Sequence, residues 1–226
     1  MLELLSQEEK YYIIGLFQGD AHHSENTRNR GKVEWELSNK DSELLYKIKD
    51  ILSKIVNVYV SSRTRDVTFK TGQKYRHTSI TLSIFNWEFR KAIKQYLPVG
   101  SKCDIICAPK DIPTDMIKHY LRGIYDADGS IGFTGKGVPY LSVCTKSEQL
   151  KEFICKHMLE TLGVTKRLNR NKRDNIYNIM LGKELAQQYS NILYKDSTLY
   201  LNRKYEQYIE VQTWERPANM RKHNKS

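Results

Sequence analysis

The sequence has little of what marks secreted, membrane-bound or zinc-binding proteins. Only four of its 226 residues are cysteines, and they are irregularly spaced at Cys103, Cys107, Cys144 and Cys155. With no C-x-x-C pair, this spacing predicts free, buried thiols in a reducing compartment and argues against a zinc site. No stretch approaches the roughly 18 consecutive apolar residues of a membrane-spanning helix, so we expect no membrane partner.

The start of the chain, MLELLSQEEK, lacks both a positively charged segment and an apolar segment. We therefore expect no signal peptide, and a location in the cytoplasm or an organellar matrix. Acidic side chains are also scarce: 26 stand against 37 basic ones, for a formal net charge of +11. Such an excess favours a polyanionic partner, because Lys and Arg placed against phosphates release condensed counterions. Charge alone leaves an ordinary basic protein equally open.

The chain contains an internal repeat at about half its length. Residues 11–21 read YYIIGLFQGDA and residues 119–129 read HYLRGIYDADG, an offset of 108 that aligns Asp20 with Asp128. Downstream of each copy, a strand-like run leads into a stretch with helical spacing of apolar residues. A repeat at this scale predicts a duplicated architecture.

Each half predicts the order helix, two strands, helix, two strands, helix. The later strand-like runs lie at 56–69, 75–85, 165–173 and 175–181, and the closing helices at 87–97 and 183–194. Consecutive strands with short gaps indicate antiparallel pairing and an α+β fold. We predict a first half at 1–106, a linker at 107–116, a second half at 117–215 and a disordered basic tail at 216–226.

Small residues recur four apart in both copies of the repeat, as Gly15 and Gly19 and as Gly123 and Ala127. Glycine inside a helix costs about 0.5–1 kcal/mol relative to alanine, so its presence needs a reason. Close packing of the two repeated helices against each other, across a pseudo-two-fold axis, supplies one.

An aspartate ends each repeated helix, Asp20 in the first and Asp128 in the second. A carboxylate at a helix C-terminus meets the negative end of the helix dipole. If the helices pack together, the two carboxylates also repel each other unless a cation neutralises them. Mg²⁺, which prefers oxygen ligands, fits this position, and unpaired carbonyls near Gly19 and Ala127 are further candidate ligands.

Residues 13–21, IIGLFQGDA, and 121–129, LRGIYDADG, resemble the two motifs of the monomeric LAGLIDADG homing endonucleases. The resemblance implies duplicated αββαββα halves, with motif helices at the centre and two curved four-stranded antiparallel sheets forming a saddle over DNA. It implies a monomer that binds a long double-stranded target and hydrolyses both strands across the minor groove, leaving short 3′ overhangs. It also implies intron or intein mobility, and Mg²⁺ as cofactor, with Mn²⁺ or Ca²⁺ able to substitute for binding.

By the same resemblance, the metal ligands are the carboxylates of Asp20 and Asp128 and the backbone carbonyls of Gly19 and Ala127. The family also places a lysine near each scissile phosphate. The corresponding candidates are Lys102 and Lys204, which follow their respective acids at similar distances along the sequence, with Arg203 as an alternative to Lys204. Asn39 and Thr145 are candidates for holding water or metal-bound oxygens.

Two positions depart from the family pattern. Ala21 stands where the family usually has glycine, as at Gly129. A positive φ there would cost alanine roughly 1 kcal/mol. The sixth motif position is Gln18 in one copy and Asp126 in the other, and we interpret Asp126 as structural.

Basic residues that alternate along the predicted strands are the candidates for contacting DNA, with Arg suited to guanine edges and Lys to phosphates. In the first half they are Arg28, Arg30, Lys32, Arg63, Arg65, Lys70, Lys74 and Arg76. In the second half they are Lys136, Lys166, Arg167, Arg170, Lys172 and Arg173. In a chain this basic, a solvated surface position explains about half of them equally well. For His22 and His23 we expect groove contact or exposure, with metal binding as the alternative.

Three other functions remain open at this point. The first is a catalytically reduced relative acting as an RNA maturase or DNA-binding regulator, although both acids are present. The second is the nuclease part of an intein, although no splicing segment with a nucleophilic start and a His-Asn end flanks the repeats. The third is an unrelated basic α+β protein with a coincidental repeat.

Overall fold

The structure, a computed structural model, describes residues 1–68 and 71–218. The candidate Lys70 and residues 219–226 of the predicted tail lie outside this part of the chain. The helices and strands in chain order are α1 (Gln7–Asp20), β1 (His22–Glu25), β2 (Gly31–Ser38), α2 (Ser42–Ser53), β3 (Tyr59–Thr68), β4 (Lys74–Ile84), α3 (Trp87–Ile93), α4 (Ile117–Asp128), β5 (Gly129–Phe133), β6 (Pro139–Thr145), α5 (Glu148–Leu162), β7 (Tyr177–Gly182), α6 (Glu184–Tyr194) and α7 (Asn202–Gln212). None of the described helices is long and apolar enough to cross a membrane.

The two repeated segments form the central helices α1 and α4. A capping box starts α1: Ser6 Oγ accepts the Glu9 N–H at 3.2 Å, and the Glu9 carboxylate accepts the Ser6 N–H at 2.9 Å. Both helices end at their aspartate, because the next residue is extended in each copy. Since α1 and α4 are buried along most of their length, their packing against each other positions everything at their C-terminal ends.

The glycines of the repeat lie where α1 and α4 meet. A Cβ on Gly123 would lie 2.7 Å from the Leu16 nitrogen and would clash with the Tyr12 carbonyl. A Cβ on Gly15 would lie 3.1 Å from the Ile124 nitrogen. Backbone therefore packs directly on backbone, which confirms the predicted reason for glycine at these positions.

The first half carries a four-stranded antiparallel sheet in the order β1-β2-β4-β3. Val33 and Trp35 of β2 and Leu82 of β4 are fully buried and face the core. Because side chains alternate along a strand, the residues between them face away from the core. We call that side the outer face of the sheet.

The second sheet has three strands, β5-β6-β7, where four were predicted. The predicted strand at 165–173 is wrong: Lys166 Nζ donates to the Met180 carbonyl of β7 at 2.8 Å, but this described segment forms no ladder and runs into a turn at 172–174. Five of its nine residues are Lys or Arg, and Leu168 is its single apolar side chain. It therefore has few β-forming residues and little apolar area to hold it against the core. The α+β class and the duplicated order are otherwise confirmed.

A buried arginine joins the start of α1 to the second half. Arg122 is fully buried and donates to the Leu199 carbonyl at 2.6 Å, the Leu193 carbonyl at 3.0 Å and the Glu8 carboxylate at 2.7 Å. The Thr198 N–H also donates to Glu8, at 3.1 Å. Arg122 aligns with Ile14 of the first copy, so a charged group occupies an apolar position of the repeat.

We expect acid to weaken the fold through Glu8. Partial burial raises its pKa, but hydrogen bonds from His119 and Thr198 and the charge of the nearby guanidinium lower the pKa of Glu8 to about 2. Because the pKa of Glu8 is lower in the folded state, its carboxylate stabilises the fold at pH values above the unfolded pKa of 4.5. This stabilisation is lost as the pH falls toward 2. The contribution amounts to roughly 3 kcal/mol. Urea unfolding across this window should show a shallower acid limb for Glu8→Gln than for wild type, and Glu152→Gln, an exposed acid, should not change the limb.

Candidate metal centre and nucleic-acid interface

The packing of α1 against α4 brings Asp20 and Asp128 together at one end of the helix pair. A Cβ on Gly19 would lie 3.3 Å from Asp128 Oδ2. Both aspartates are exposed. Desolvation by the crowded helix ends and repulsion from Asp128 raise the pKa of Asp20 to about 6. Desolvation likewise raises the pKa of Asp128. The site therefore holds two carboxylates whose negative charge is poorly accommodated.

Lys102 and Lys204 lie beside these acids, one at the end of each motif helix. Lys102 Nζ donates to the Phe17 carbonyl at 3.0 Å and to the Ala21 carbonyl. Burial lowers the pKa of Lys102 to about 8, while Asp128 and Asp20 raise it. The ammonium group thus caps the C-terminus of α1, where a cation is favoured by the helix dipole.

Lys204 has the equivalent position on α4 but is more deeply enclosed. It is 4% exposed, and its Nζ donates to the carbonyls of Tyr125 at 2.7 Å, Asp126 at 2.6 Å and Ala127 at 3.4 Å. Burial lowers the pKa of Lys204 to about 8, against the nearby carboxylates. Its alternative, Arg203, is more than half exposed and pairs with Asp41 of the first half at 3.2 Å.

This difference predicts unequal structural roles for the two lysines. We expect Lys204→Met to lower the free energy of unfolding by roughly 2 kcal/mol, because it leaves buried carbonyls at the end of α4 without a donor. Lys102→Met should cost less, since its surroundings are more open to water. Urea unfolding in EDTA measures both. A larger loss for Lys102→Met would contradict the assigned contacts.

The sixth motif positions are structural in both copies. Tyr12 donates to Asp126 Oδ2 at 2.8 Å and Tyr120 donates to Gln18 Oε1 at 2.6 Å, so each helix reaches the sixth position of the other. Asp126 is buried and also accepts the Leu201 N–H at 2.9 Å. Burial raises the pKa of Asp126. Gln18 is among the residues that line a cavity beside Asp128, whereas Asp126 is not.

The roughly 1 kcal/mol conformational cost considered for Ala21 does not arise. Ala21 has φ −79° and Gly129 has φ −91°, both extended. A positive φ is absent at both residues, so alanine is as well accommodated as glycine in backbone conformation.

A cavity of about 170 Å³ lies beside Asp128. Lys102, Cys103, Cys144 and Thr145 are among the residues that line it. Thr145 Oγ1 accepts the Ser147 N–H at 3.1 Å, so it also serves the start of α5. The four cysteines are free, as predicted, but the prediction that they are buried is wrong: Cys103 is exposed, and Cys107, Cys144 and Cys155 are only partly buried. The other candidate for holding water, Asn39, is exposed in a short turn before α2.

Three of the first-half candidates lie on the outer face of the sheet. Arg63 and Arg65 in β3 pair with Ser79 and His77 of β4, on the same face as Lys32. Lys32 pairs with Glu34 at 2.6 Å, and Arg65 lies 3.6 Å from Glu36. These basic side chains form a polar surface with acids interspersed.

Other first-half predictions are corrected. Arg28 and Arg30 lie in the loop between β1 and β2, where Arg28 has φ +58°, so they do not continue the strand of Lys32. Lys74 and Arg76 are opposite Thr68 and Asp66, which places them on the other side of the hairpin from Arg63 and Arg65. Sequence spacing did not reveal this because the register of β3 on β4 decides which face each residue takes.

The second-half candidates for contacting DNA also differ in whether they face the core or the solvent. Lys166 and Arg170 are half-buried on the side of Leu168, which packs against the core, and Arg170 lies 4.9 Å from the Tyr177 ring centroid. Arg167 points to the exposed side. The remaining candidates lie in exposed turns: Lys136, Lys172 and Arg173.

Sequence reasoning did not identify three buried polar side chains that hold parts of the fold together. His23 is fully buried rather than exposed, with its ring nitrogens 3.0 Å from the Leu97 carbonyl and 2.9 Å from Glu25. Arg90 is 1% exposed and Arg122 is fully buried. The sequence did contain a signal for Arg122, because the aligned residue of the first copy is the apolar Ile14. His23 and Arg90 are buried by long-range contacts, for which the sequence contains no comparable signal. His22, in contrast, is exposed at the start of β1.

The donors at the helix ends fit a hard divalent cation. Mg²⁺ is bound through one or two carboxylates, with water and substrate phosphate completing its octahedral shell. Asp20 and Asp128 supply those carboxylates. A bound cation would offset the desolvation that raises both pKa values and the repulsion from Asp128 that further raises the pKa of Asp20. Within residues 1–68 and 71–218, no group of three or more His, Cys, Asp or Glu side chains is arranged as a metal site.

Comparison with known proteins gives one family. The model of the LAGLIDADG-like domain matches twice, over residues 7–97 and 115–204. A DNA polymerase of Acanthamoeba polyphaga mimivirus is 30% identical over 128 residues, covering 54% of this chain and 7% of the polymerase. The chain thus matches a small part of that relative's length.

Three solved structures have a similar fold. The homing endonuclease I-WcaI bound to its DNA recognition sequence has a TM-score of 0.59 at 14% identity, covering 90% of this chain and 87% of that one. I-DmoI in complex with DNA and Mn has a TM-score of 0.52 at 17% identity, covering 84% and 99%. Full-length WhiA from Thermatoga maritima has a TM-score of 0.53 at 12% identity, covering 94% and 63%. At these identities the likeness concerns the fold.

Proposed function

Because the chain belongs to the LAGLIDADG family, with two copies of its domain, we propose that it is a metal-dependent endonuclease that cuts both strands of a specific DNA site. The observation that carries the proposal is the meeting of Asp20 and Asp128 at the ends of the packed motif helices. The proposed halves are 1–106 and 117–215, joined by 107–116.

In the proposed site, Asp20 and Asp128 hold Mg²⁺, with the carbonyls of Gly19 and Ala127 as further ligands. When bound, the cation polarises the scissile phosphate and stabilises the leaving 3′ oxygen. Because one carboxylate comes from each copy, both halves of the chain would contribute to holding the metal. Mn²⁺ in the DNA complex of I-DmoI supports a divalent cofactor.

The two lysines have distinct parts in this proposal. Lys102 borders the cavity next to Asp128, where its ammonium group can orient water beside a phosphate. Lys204 holds the end of α4, and so fixes the main-chain atoms around Ala127 and Asp128. Both are close enough to the acids to affect their pKa values.

The proposed DNA surface comprises the outer face of the first sheet, the exposed side of the segment that contains Arg167, and the exposed loops and turns of both halves. Its basic members are Lys32, Arg63, Arg65, Arg167 and the loop residues Arg28, Arg30, Lys136, Lys172 and Arg173. The net charge of +11 supports a polyanionic partner. We expect a monomer that covers a long target and leaves short 3′ overhangs.

Incubation of the protein with a randomised-site DNA library and Mg²⁺, followed by sequencing of the cut ends, tests the proposal. We expect one family of sites, cut on both strands with 3′ overhangs, and no cutting in EDTA. Selective retention of a DNA sequence without any cutting would instead support a DNA-binding regulator. Selective retention of a structured RNA would support a maturase.

A further inference from the structure

The loop at 26–30, between β1 and β2, is held in an unusual conformation. Arg28 and Asn29 have φ values of +58° and +56°, in the left-handed region that non-glycine residues rarely adopt. The loop is closed by the Asn26 N–H, which donates to the Arg30 carbonyl. Both residues lie at the centre of a tight turn closed by the Arg30 N–H, which donates to the Thr27 carbonyl at 3.4 Å. A hairpin turn of this kind requires positive φ at both central residues, and Arg28, unlike glycine or asparagine, is strained there unless its surroundings fix it.

Arg90 of α3 provides that fixation from beneath the loop. It is 1% exposed, and its guanidinium donates to the Asn29 carbonyl, the Glu25 carboxylate and, at 3.2 Å, the Phe85 carbonyl. Its Cζ lies 5.2 Å from the Trp87 ring centroid. The planar fork of arginine bonds both sides of the loop at once, which the single ammonium group of lysine cannot reproduce.

The strand ends next to the loop are fixed by the same cluster. His23 is fully buried and lies 2.9 Å from the second Glu25 oxygen. A Cβ on Gly31 would lie 2.9 Å from Glu25 Oε2 and 2.5 Å from Arg90 Nη1. The residues flanking the loop therefore pack tightly around one buried cation.

The loop itself faces open space on two sides. A cavity of about 520 Å³ is lined by Asn26, Arg30 and Phe85 among others. A second, of about 370 Å³, is lined by Asn29 and Trp87 among others. Two exposed arginines on a fixed loop suit contacts to guanine edges or phosphates, because little conformational freedom is lost on binding.

The position of the loop relative to Asp20 sets which part of the DNA it reaches. The loop begins at Asn26, six residues after Asp20, and an extended chain of that length spans roughly 20 Å at most. At 3.4 Å per base pair, this corresponds to about six base pairs from the centre of the site.

We propose that Arg90 is a positioning residue for DNA recognition, which fixes the 26–30 loop so that Arg28 and Arg30 recognise a short block of base pairs in the outer part of one half-site. The proposal rests on the proposed function, since it presumes a specific DNA target. Arg90 itself is buried and makes no contact with DNA.

The test measures binding of the selected target and of its single-base variants, position by position. We expect Arg28→Ala with Arg30→Ala to reduce base preference about tenfold at one block, roughly six base pairs from the centre. Arg90→Met should reduce preference at the same block, and adding it to the double variant should cause no further loss. Arg90→Lys should be intermediate. Lys156→Met, which removes an exposed cation of α5 in the second half, should leave every position unchanged.

The outcomes separate three cases. If wild type shows no preference at any position, the proposed function fails and this inference fails with it. If wild type selects and cuts a site but both Arg90 variants retain preference at that block, the inference alone is wrong. If the Arg90 variants lose base preference equally at all positions, in proportion to the loss of folded protein in thermal melts, Arg90 has a purely structural role. That result would also overturn the inference. Cleavage rates at saturating DNA should be unchanged in Arg90→Lys.

Discussion

Asp128→Asn should lower the rate of double-strand cleavage by roughly 10³-fold or more, while specific DNA binding is retained. Replacing the carboxylate removes a charged cation ligand, and the cation contributes several kcal/mol to the transition state. Binding should persist because the proposed DNA contacts lie on the sheets and loops, and one negative charge fewer weakens repulsion of phosphates. Asp20→Asn should have a similar effect, since both acids lie at the same helix crossing.

Single-turnover cleavage and gel-shift affinity on the same target separate the two effects. Asp50→Asn is the matched control, because it makes the same chemical change at an exposed position of α2 away from the site. Cleavage within about tenfold of wild type in both variants would remove the acids from the chemistry. Parallel loss of binding and cleavage would point to a folding defect instead.

Gly123→Ala should destabilise the fold by roughly 3 kcal/mol or more. In an isolated helix the same substitution would stabilise by about 1 kcal/mol. Here the added methyl group would meet the Tyr12 carbonyl and, at 2.7 Å, the Leu16 nitrogen. Backbone atoms of a packed helix cannot move aside without separating α1 from α4. Gly15→Ala should act in the same direction, against the backbone of α4.

Gly135→Ala provides the control, since a Cβ at this turn residue meets nothing within 4 Å. We expect its free energy of unfolding to match wild type or to rise slightly. Chemical unfolding measures all three variants. A stabilising Gly123→Ala would mean that α1 and α4 do not approach as closely as described, and would also weaken the case for a shared site at their ends.

The sequence predicted best those features for which a residue type at a given position has a single physical explanation. The 108-residue offset, the glycines of the crossing and the terminal aspartates are local features that repeat, and each was found where expected. The structural interpretation of Asp126, which came from the family resemblance, agrees with its burial and its hydrogen bonds to Tyr12 and Leu201. What connects these features is helical geometry, which sequence spacing describes well.

Features that depend on pairing across the chain were not predictable in this way. Arg76 and Arg63 are both basic residues in strands, yet the register of β3 on β4 puts them on opposite faces. In the segment 165–173, exposed and half-buried side chains alternate as they do along a strand, but the segment has too little apolar surface to join the sheet. Arg90 counted toward the basic excess, although its charge is buried under a loop. Composition cannot distinguish a cation that faces DNA from one that holds the fold.

The most direct test of the central claim is the position of the cation in crystals of the protein bound to its selected DNA target and Mn²⁺. We expect an anomalous peak roughly 2.0–2.6 Å from carboxylate oxygens of both Asp20 and Asp128. The same peak should be absent in a variant carrying Asp20→Asn and Asp128→Asn. A fully occupied Mn²⁺ elsewhere, with neither aspartate within that distance, would contradict the account.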